Sequence, residues 1–337
     1  MPNDASIGDR SPVIVTLRSE LIRAELCSYG ARLLALYLRN ADGSETNIAL
    51  ALPSLEDYAA GNSSIGAICG RFANRIRNAC YREQDSIVHL SANEGPNHLH
   101  GGGTGFDRQP WNTVAMDSEA VTFSLAVPDG DQGYPGALNA RVTYRLLGAE
   151  GLQCRITASS DRPTIVNLTH HAYWNLTGDF SRSAADHMLQ IDADAFLPVD
   201  DQLIPLPGRS PVARTAFDFR EPALTRERLA GCGDGFDHNF CLNGPRGTLR
   251  PVARLEDPAS GRSLRLSTSE AGLQFYLARH FTPDITSREG RPLHPAAGIA
   301  LEPQTFPDSP NRPDFPSPRL LPGELYEHLI EWQFGSG

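Results

Sequence analysis

Apolar and polar residues alternate with a period of two over much of the chain. Apolar residues occupy every second position in one run, at Val121, Phe123, Leu125 and Val127, and in another at Leu152, Cys154 and Ile156. This period predicts half-buried β-strands, because successive side chains of a strand point to opposite faces. Turn-forming residues at 148–151 and 257–261 separate such runs. They predict antiparallel hairpins.

Helical patterns are short. Residues 54–57 (Ser-Leu-Glu-Asp) have the spacing of a capping box, and a few helical turns are predicted near Thr225 to Leu229. No long amphipathic helix alternates with the strands, which disfavours a doubly wound α/β fold. We predict an all-β fold, a large antiparallel β-sandwich with few short helices. No repeat or linker divides the chain, so one domain is expected over residues 1–337.

Composition narrows the possible partners. The 337 residues carry a net charge of -10 without a basic run, which argues against nucleic acid or an anionic membrane surface. Residues 1–10 have no apolar core of signal-peptide length, and no later segment approaches the roughly 18 apolar residues that span a bilayer. The expectation is a cytoplasmic protein, either a monomer or a homodimer. The six cysteines form no Cys-x-x-Cys pair, which favours free thiols over disulfides or a zinc site.

Glu302 is the most unusual charged residue of the chain. It follows the apolar residues 299–301 and precedes a proline-rich segment, 303–322. A carboxylate emerging from a buried strand is costly unless it is paired, hydrogen-bonded or used on a ligand. Glu302 is therefore the first candidate for a catalytic base, and the alternative is a carboxylate satisfied by backbone donors of the turn. Phe306 and Phe315 predict that the following segment is an ordered loop rather than a linker.

Four other clusters concentrate polar residues, at 70–76, 97–103, 167–176 and 235–240. His98 and His100 share one side of an extended segment, and glycines follow them. They could be satisfied structural histidines or a metal-binding pair completed by Asp237 or Glu302, although no spacing requires a metal. Similarly, Arg71, Arg75 and Asp237 could be structural or functional. Tyr173 and Trp174 are interpreted as core residues.

Together these clusters have the chemistry of a sugar site. They combine imidazoles, an isolated carboxylate, aromatic rings and four groups suited to bind hydroxyls: Asn74, Arg75, Asp237 and Gln274. Phosphate-cradling and dinucleotide-binding glycine motifs are missing from the sequence, so no nucleotide cofactor is expected.

Eight motifs, taken in chain order, resemble one family, the aldose 1-epimerases or galactose mutarotases. They lie at residues 70–76, 97–102, 167–176, 198–205, 236–240, 272–276, 301–311 and 322–326. The resemblance implies a large antiparallel β-supersandwich that interconverts the α and β anomers of free aldohexoses such as galactose and glucose. It implies Glu302 as general base and His171 as general acid, with His100 assisting at the ring oxygen. It further implies that sugar hydroxyls are held by Arg75, Asp237 and Gln274, with Asn74 as a weaker addition.

Anomer exchange needs one base and one acid, because a proton leaves the C1 hydroxyl while another reaches the ring oxygen. A glutamate is ordinarily ionised at neutral pH, and neighbouring acids are expected to keep His171 protonated. No metal or redox cofactor is required. His170 is the less favoured acid, because adjacent rings on a strand face opposite sides.

Three alternatives remain open from the sequence. A non-catalytic sugar-binding protein could use the same scaffold. A glycoside hydrolase would use Asp237 as its second carboxylate. A phosphosugar epimerase would use Arg71 and Arg75 as phosphate contacts.

Overall fold

A computed structural model describes residues 11–61, 64–232 and 235–335, so the expectation resting on residues 1–10 lies outside the described chain. The described residues form 27 strands: β1 (Ile14–Arg18), β2 (Ile22–Cys27), β3 (Arg32–Arg39), β4 (Glu45–Asn47), β5 (Ile68–Cys69), β6 (Arg75–Ile76), β7 (Cys80–Glu83), β8 (Ser86–His89), β9 (His98–Leu99), β10 (Asn112–Met116), β11 (Ala120–Val127), β12 (Leu138–Leu147), β13 (Gly151–Ser160), β14 (Thr164–Ile165), β15 (Thr169–His170), β16 (Tyr173–Trp174), β17 (Met188–Ile191), β18 (Ala193–Phe196), β19 (Ser210–Pro211), β20 (Ala223–Leu224), β21 (Asp237–Leu242), β22 (Arg250–Glu256), β23 (Ser263–Thr268), β24 (Gly272–Leu277), β25 (Ile299–Gln304), β26 (Arg319–Leu320) and β27 (Tyr326–Gly335).

Helices are few and short, as the sequence predicts. Within the described part of the chain they are α1 (Leu55–Ala59), α2 (Thr225–Arg228) and 3₁₀ turns at Arg77–Ala79, Phe106–Arg108, Asp131–Gly133, Ala184–Asp186, Leu229–Gly231 and Ser309–Asn311. The predicted capping box is confirmed, because the Ser54 side chain accepts from the Asp57 amide and the Asp57 carboxylate accepts from the Ser54 amide.

Three larger antiparallel sheets dominate the fold. The largest has nine strands in the order β10-β11-β12-β13-β27-β23-β22-β17-β20, and the second has six in the order β16-β25-β24-β21-β18-β19. A four-stranded sheet, β1 to β4, lies nearer the start of the chain. The predicted turns at 148–151 and 257–261 join β12 to β13 and β22 to β23, both antiparallel pairs. The prediction of a large antiparallel β-sandwich is confirmed.

The main hydrophobic core joins the nine-stranded and six-stranded sheets. Residues of β11, β12, β13 and β27 belong to the same buried cluster as Leu273, Phe275 and Leu277 of β24. Because side chains alternate along a strand, the even-numbered residues of β24 point to the opposite face of the six-stranded sheet. That face carries the candidate site.

Two smaller sequence predictions concern the cysteines and the proline-rich segment. All six cysteines are free, and five of them are buried. Of the apolar residues expected to anchor the proline-rich segment, Phe306, Phe315 and Leu320 are buried, whereas Leu321 is exposed. The helices of the described chain all lack the length and apolar character of a membrane span.

Candidate active site

The floor of the site is the face of the six-stranded sheet that points away from the main core. Paired residues of antiparallel strands share a face, and one row across β16, β25, β24 and β21 consists of Tyr173, Ala300, Tyr276 and Asp237. Two residues further along β25, Glu302 pairs with Gln274. Four strands therefore bring these side chains together.

Glu302 lies within β25 rather than at its end, and its side chain is buried. Oε1 lies 3.5 Å from Nε2 of His171. Among the described residues, the buried Oε2 has no hydrogen-bond partner. Within the part of the chain that the structure describes, no turn donor satisfies this oxygen, so the structural alternative for Glu302 is not supported. A buried carboxylate oxygen without a partner is available to a ligand.

The adjacent histidines face opposite sides, as predicted. The ring of His171 stacks on Tyr173 with centroids 4.8 Å apart, and the His171 amide donates to the carbonyl of Ala67. His170 packs away from the site between Tyr144 and Trp332, at centroid distances of 5.8 and 4.9 Å. The structure therefore brings His171, and not His170, to Glu302.

His100 reaches the site from a loop above the sheet. Its Nδ1 accepts a hydrogen bond from the Asn74 amide at 3.1 Å, so the proton of the neutral ring lies on Nε2. The following Gly101 has φ +91°, and a Cβ there would lie 1.7 Å from the carbonyl oxygen of Gly70. Only glycine permits this close approach. The loop thus presents His100 as a neutral N–H donor.

Arg75 is held between two carboxylates. Its Nε and Nη2 donate to the two oxygens of Glu94 at 2.7 and 2.8 Å, and its Nη1 lies 3.7 Å from Oδ2 of Asp237. Gln274 in turn donates from Nε2 to Oδ1 of Asp237 at 2.6 Å. The predicted hydroxyl-binding groups therefore form one polar network beside Glu302, and Asn74 lines the same pocket.

Burial controls the protonation of the acid–base pair. It raises the pKa of Glu302 well above the usual value, and the Asp237 carboxylate adds to this shift while Arg75 opposes it. Burial lowers the pKa of His171 to about 3, and His280 adds to that shift. Likewise, burial first and His171 second lower the pKa of His100. In the protein alone, desolvation therefore favours the neutral forms of both side chains, and it opposes the charges that the sequence led us to expect on Glu302 and His171.

The pocket has a volume of about 330 Å³. Its lining includes four residues to which the sequence gave no role in the site: Glu94, Tyr173, Tyr276 and His280. The interpretation of Tyr173 as a core residue misses its contact with His171. Pairing across the sheet, and not any local motif, places Tyr276 beside Asp237.

Two residues considered in the sequence lie elsewhere. Arg71 is buried, and its guanidinium donates to the carbonyls of Pro135 and Gly136, so it offers no contact to a ligand in this pocket. His98 is also structural, because its ring bonds to the carbonyl of Ser91 and to the hydroxyl of Tyr134.

Among the described residues, one set in the pocket has the donor atoms to hold a metal ion. Ligand atoms of His100, His171 and Glu302 lie within 4.8 Å of one another. The set differs from the pair considered in the sequence, because His98 is turned away and Asp237 is not part of it. Two imidazoles and a carboxylate are ligands that zinc accepts.

Comparisons with known proteins agree on one family. The family model described as aldose 1-epimerase matches residues 13–333. A human protein named galactose mutarotase is 40% identical over 319 residues, covering 94% of this chain and 92% of that protein. The Escherichia coli K12 protein named aldose 1-epimerase is 38% identical over 329 residues, covering 95% and 94%.

Solved structures give the same result. The crystal structure of a galactose 1-epimerase from Lactobacillus acidophilus NCFM matches with a TM-score of 0.85 and 32% identity, covering 98% of this chain and 96% of that one. An aldose epimerase homologue from C. elegans matches with a TM-score of 0.89 and 28% identity, covering 97% and 99%.

Proposed function

The chain belongs to the aldose 1-epimerase family, and we propose that its pocket binds and isomerises a free sugar. The protein is an isomerase that interconverts the α and β anomers of aldoses. We propose free galactose and glucose as substrates, because relatives at about this level of identity are named galactose mutarotase. A pocket of about 330 Å³ lies at the small end of the range for small-molecule sites, about 300–1,000 Å³, which suits a single sugar ring.

The observation that carries the proposed mechanism is the contact between Glu302 and His171. The two side chains are buried, lie 3.5 Å apart and line the same pocket. Glu302 accepts the proton of the C1 hydroxyl while His171 donates a proton to the ring oxygen, and the bond between C1 and that oxygen breaks. The products of this step are an open-chain aldehyde and a hydroxyl at C5. Rotation about the C1–C2 bond and reclosure on the other face return both protons.

The number of protons shared by Glu302 and His171 fits this step. A protonated Glu302 with a neutral His171 holds the same single proton as a carboxylate with an imidazolium. Burial favours the neutral form, and transfer of that proton between the two residues gives the reactive form. Hydroxyl groups of a bound sugar stabilise the reactive form, because they hydrogen-bond to both charges.

The remaining residues hold and polarise the substrate. His100 donates a hydrogen bond from Nε2 to the ring oxygen, since its Nδ1 is occupied by the Asn74 amide. Arg75, Asp237 and Gln274 bind ring hydroxyls as one connected network. Asn74 completes the binding set.

The test is polarimetry on freshly dissolved α-D-galactose and α-D-glucose at neutral pH. Wild-type protein should accelerate the change in rotation. Glu302→Gln should lose a factor of about 10²–10⁴ in rate, while calorimetry still detects sugar binding, because the amide keeps the shape of the side chain and part of its hydrogen bonding. Turnover near the wild-type rate in Glu302→Gln would exclude this residue as the base.

A pure sugar-binding role predicts a different result. Binding without acceleration by the wild type would favour it. The phosphosugar alternative loses support because Arg71 does not line the pocket.

A further inference from the structure

We propose that Glu94 is a specificity-determining residue: it orients and neutralises Arg75, so that the pocket accepts neutral aldoses and rejects sugars that carry an anionic substituent. The proposal rests on the proposed function of the pocket as a sugar site. It concerns which class of sugar enters, and it does not alter the roles of Glu302 and His171.

The position of Glu94 is fixed by the backbone. Glu94 and Asn97 form a tight turn in which the Glu94 amide donates to the Asn97 carbonyl at 3.1 Å and the Asn97 amide donates to the Glu94 carbonyl at 2.9 Å. The next residues enter β9, and β9 pairs with β6, so that Leu99 lies opposite Arg75. The turn at Glu94 and the pairing of β9 with β6 therefore place the backbone of Glu94 near Arg75, and the contact between the side chains adds to this.

Glu94 engages Arg75 through both carboxylate oxygens, at 2.7 and 2.8 Å. A bidentate pair fixes the plane of the guanidinium as well as its position. It leaves Nη1 directed toward Asp237, 3.7 Å away. Removing Glu94 would free Arg75 to turn and would leave its charge less compensated.

The charges around the pocket indicate what this pairing achieves. The described lining residues include three carboxyl side chains, on Glu94, Asp237 and Glu302, and one guanidinium, on Arg75. The negative charge of Glu94 balances the positive charge of Arg75. Arg75 therefore acts on a ligand as a hydrogen-bond donor to hydroxyl groups. An anionic sugar that enters would meet the Asp237 carboxylate without a free cation among the described lining residues to pair with, and such a like-charge contact opposes binding.

Glu94 is also placed at the mouth of the pocket. Its side chain is 36% exposed, compared with 10% for Arg75 and 3% for Glu302. It therefore meets an incoming ligand before the buried pair does. The acid–base step does not use it, so its effect should appear mainly in KM and in the choice of sugar.

D-Galactose and D-galacturonate provide a matched pair of probes. They share a ring and differ at C6, where one carries a hydroxymethyl group and the other a carboxylate. Polarimetry gives kcat and KM for both sugars with the wild type, Glu94→Gln and Glu94→Asp. In Glu94→Gln, kcat/KM for galacturonate relative to galactose should rise by about tenfold or more, mainly through KM. Glu94→Asp keeps the charge and should keep most of the discrimination.

Glu327→Gln is the control. Glu327 pairs with Arg155 between β27 and β13, and this exposed pair does not line the pocket. Its removal should leave the ratio between the two sugars unchanged. An unchanged ratio in Glu94→Gln would overturn the proposal, and equal relaxation in Glu94→Gln and Glu94→Asp would overturn the role of charge.

Calorimetric binding of the same two sugars separates this proposal from the proposed function. A wild type that binds galactose but does not accelerate its mutarotation contradicts the catalytic proposal, whereas the affinity ratio in Glu94→Gln still tests the selection of neutral sugars. Normal mutarotation with an affinity ratio unmoved by Glu94→Gln overturns only the selection proposal.

Discussion

The two adjacent histidines have different neighbours: His171 lies beside Glu302, and His170 lies in the core. His171→Asn should lower kcat by about 10²–10⁴, because it removes the group 3.5 Å from Glu302. His170→Asn should retain kcat and lose stability instead, by about 1–3 kcal/mol, because His170 packs between Tyr144 and Trp332. Polarimetry and thermal melting of both variants separate the two effects. The reverse ranking in kcat would transfer the acid role to His170.

The pH dependence of kcat/KM should report the protonation of the buried pair. The active form holds one proton, so activity falls at high pH as that proton leaves through the raised pKa of Glu302. It falls at low pH as a second proton adds to His171, whose pKa is lowered to about 3. The two limbs belong to the pair as a whole. Activity should therefore persist at about pH 5, below the ordinary histidine pKa of about 6.5. An acid limb near that ordinary value would contradict a desolvated His171.

The same residues indicate how far the sequence could define the site. Glu302, His171, His100, Arg75, Asp237 and Gln274 lie together as their motifs implied. Protonation could not be predicted, because a reference pKa applies to a solvated side chain and burial depends on the whole fold. The contact of Glu94 with Arg75 could not be predicted either, because nothing in the sequence around Glu94 shows that Arg75 lies opposite Leu99.

Strand β25 extends further than its sequence predicts. The sequence placed Glu302 where a buried strand ends, since two prolines follow within five residues. The strand instead continues to Gln304, and Pro303 pairs with Leu273 inside the sheet. All six residues are buried, because one face meets the core and the other meets the site. A period-two pattern is lost when both faces are covered.

The two faces of β25 should separate stability from chemistry. Leu301 is buried in the main core, next to Glu302 in sequence. Leu301→Ala should lower the free energy of unfolding by about 2–5 kcal/mol, with kcat close to wild type well below the melting temperature. Chemical denaturation and polarimetry on the same preparation measure both quantities. Leu206→Ala is a control at a side chain that is 40% exposed, and a comparable loss of stability there would contradict the assignment to burial.

At the scale of the whole molecule, fold class was the most predictable property. The alternation of apolar and polar residues along β11 and β13 is a local feature, as are the hairpin turns. Both are present in the structure. The strand order was not predictable, because β27 near the end of the chain inserts between β13 and β23. Such pairings depend on residues far apart in sequence, and hairpin patterns carry no information about them.

We propose that the chain forms a single domain, because β27 inserts between strands from much earlier in the chain. The main core contains residues from β1 through β27, including all three tryptophans of the chain, Trp111, Trp174 and Trp332. If the chain unfolds as one unit, tryptophan fluorescence and far-ultraviolet circular dichroism should follow the same urea transition with the same midpoint. Saturating galactose should shift both curves together, because a ligand that binds only the folded state stabilises the whole cooperative unit. Two separated transitions, or a shift confined to one probe, would mean that the chain divides into independent units despite its shared core.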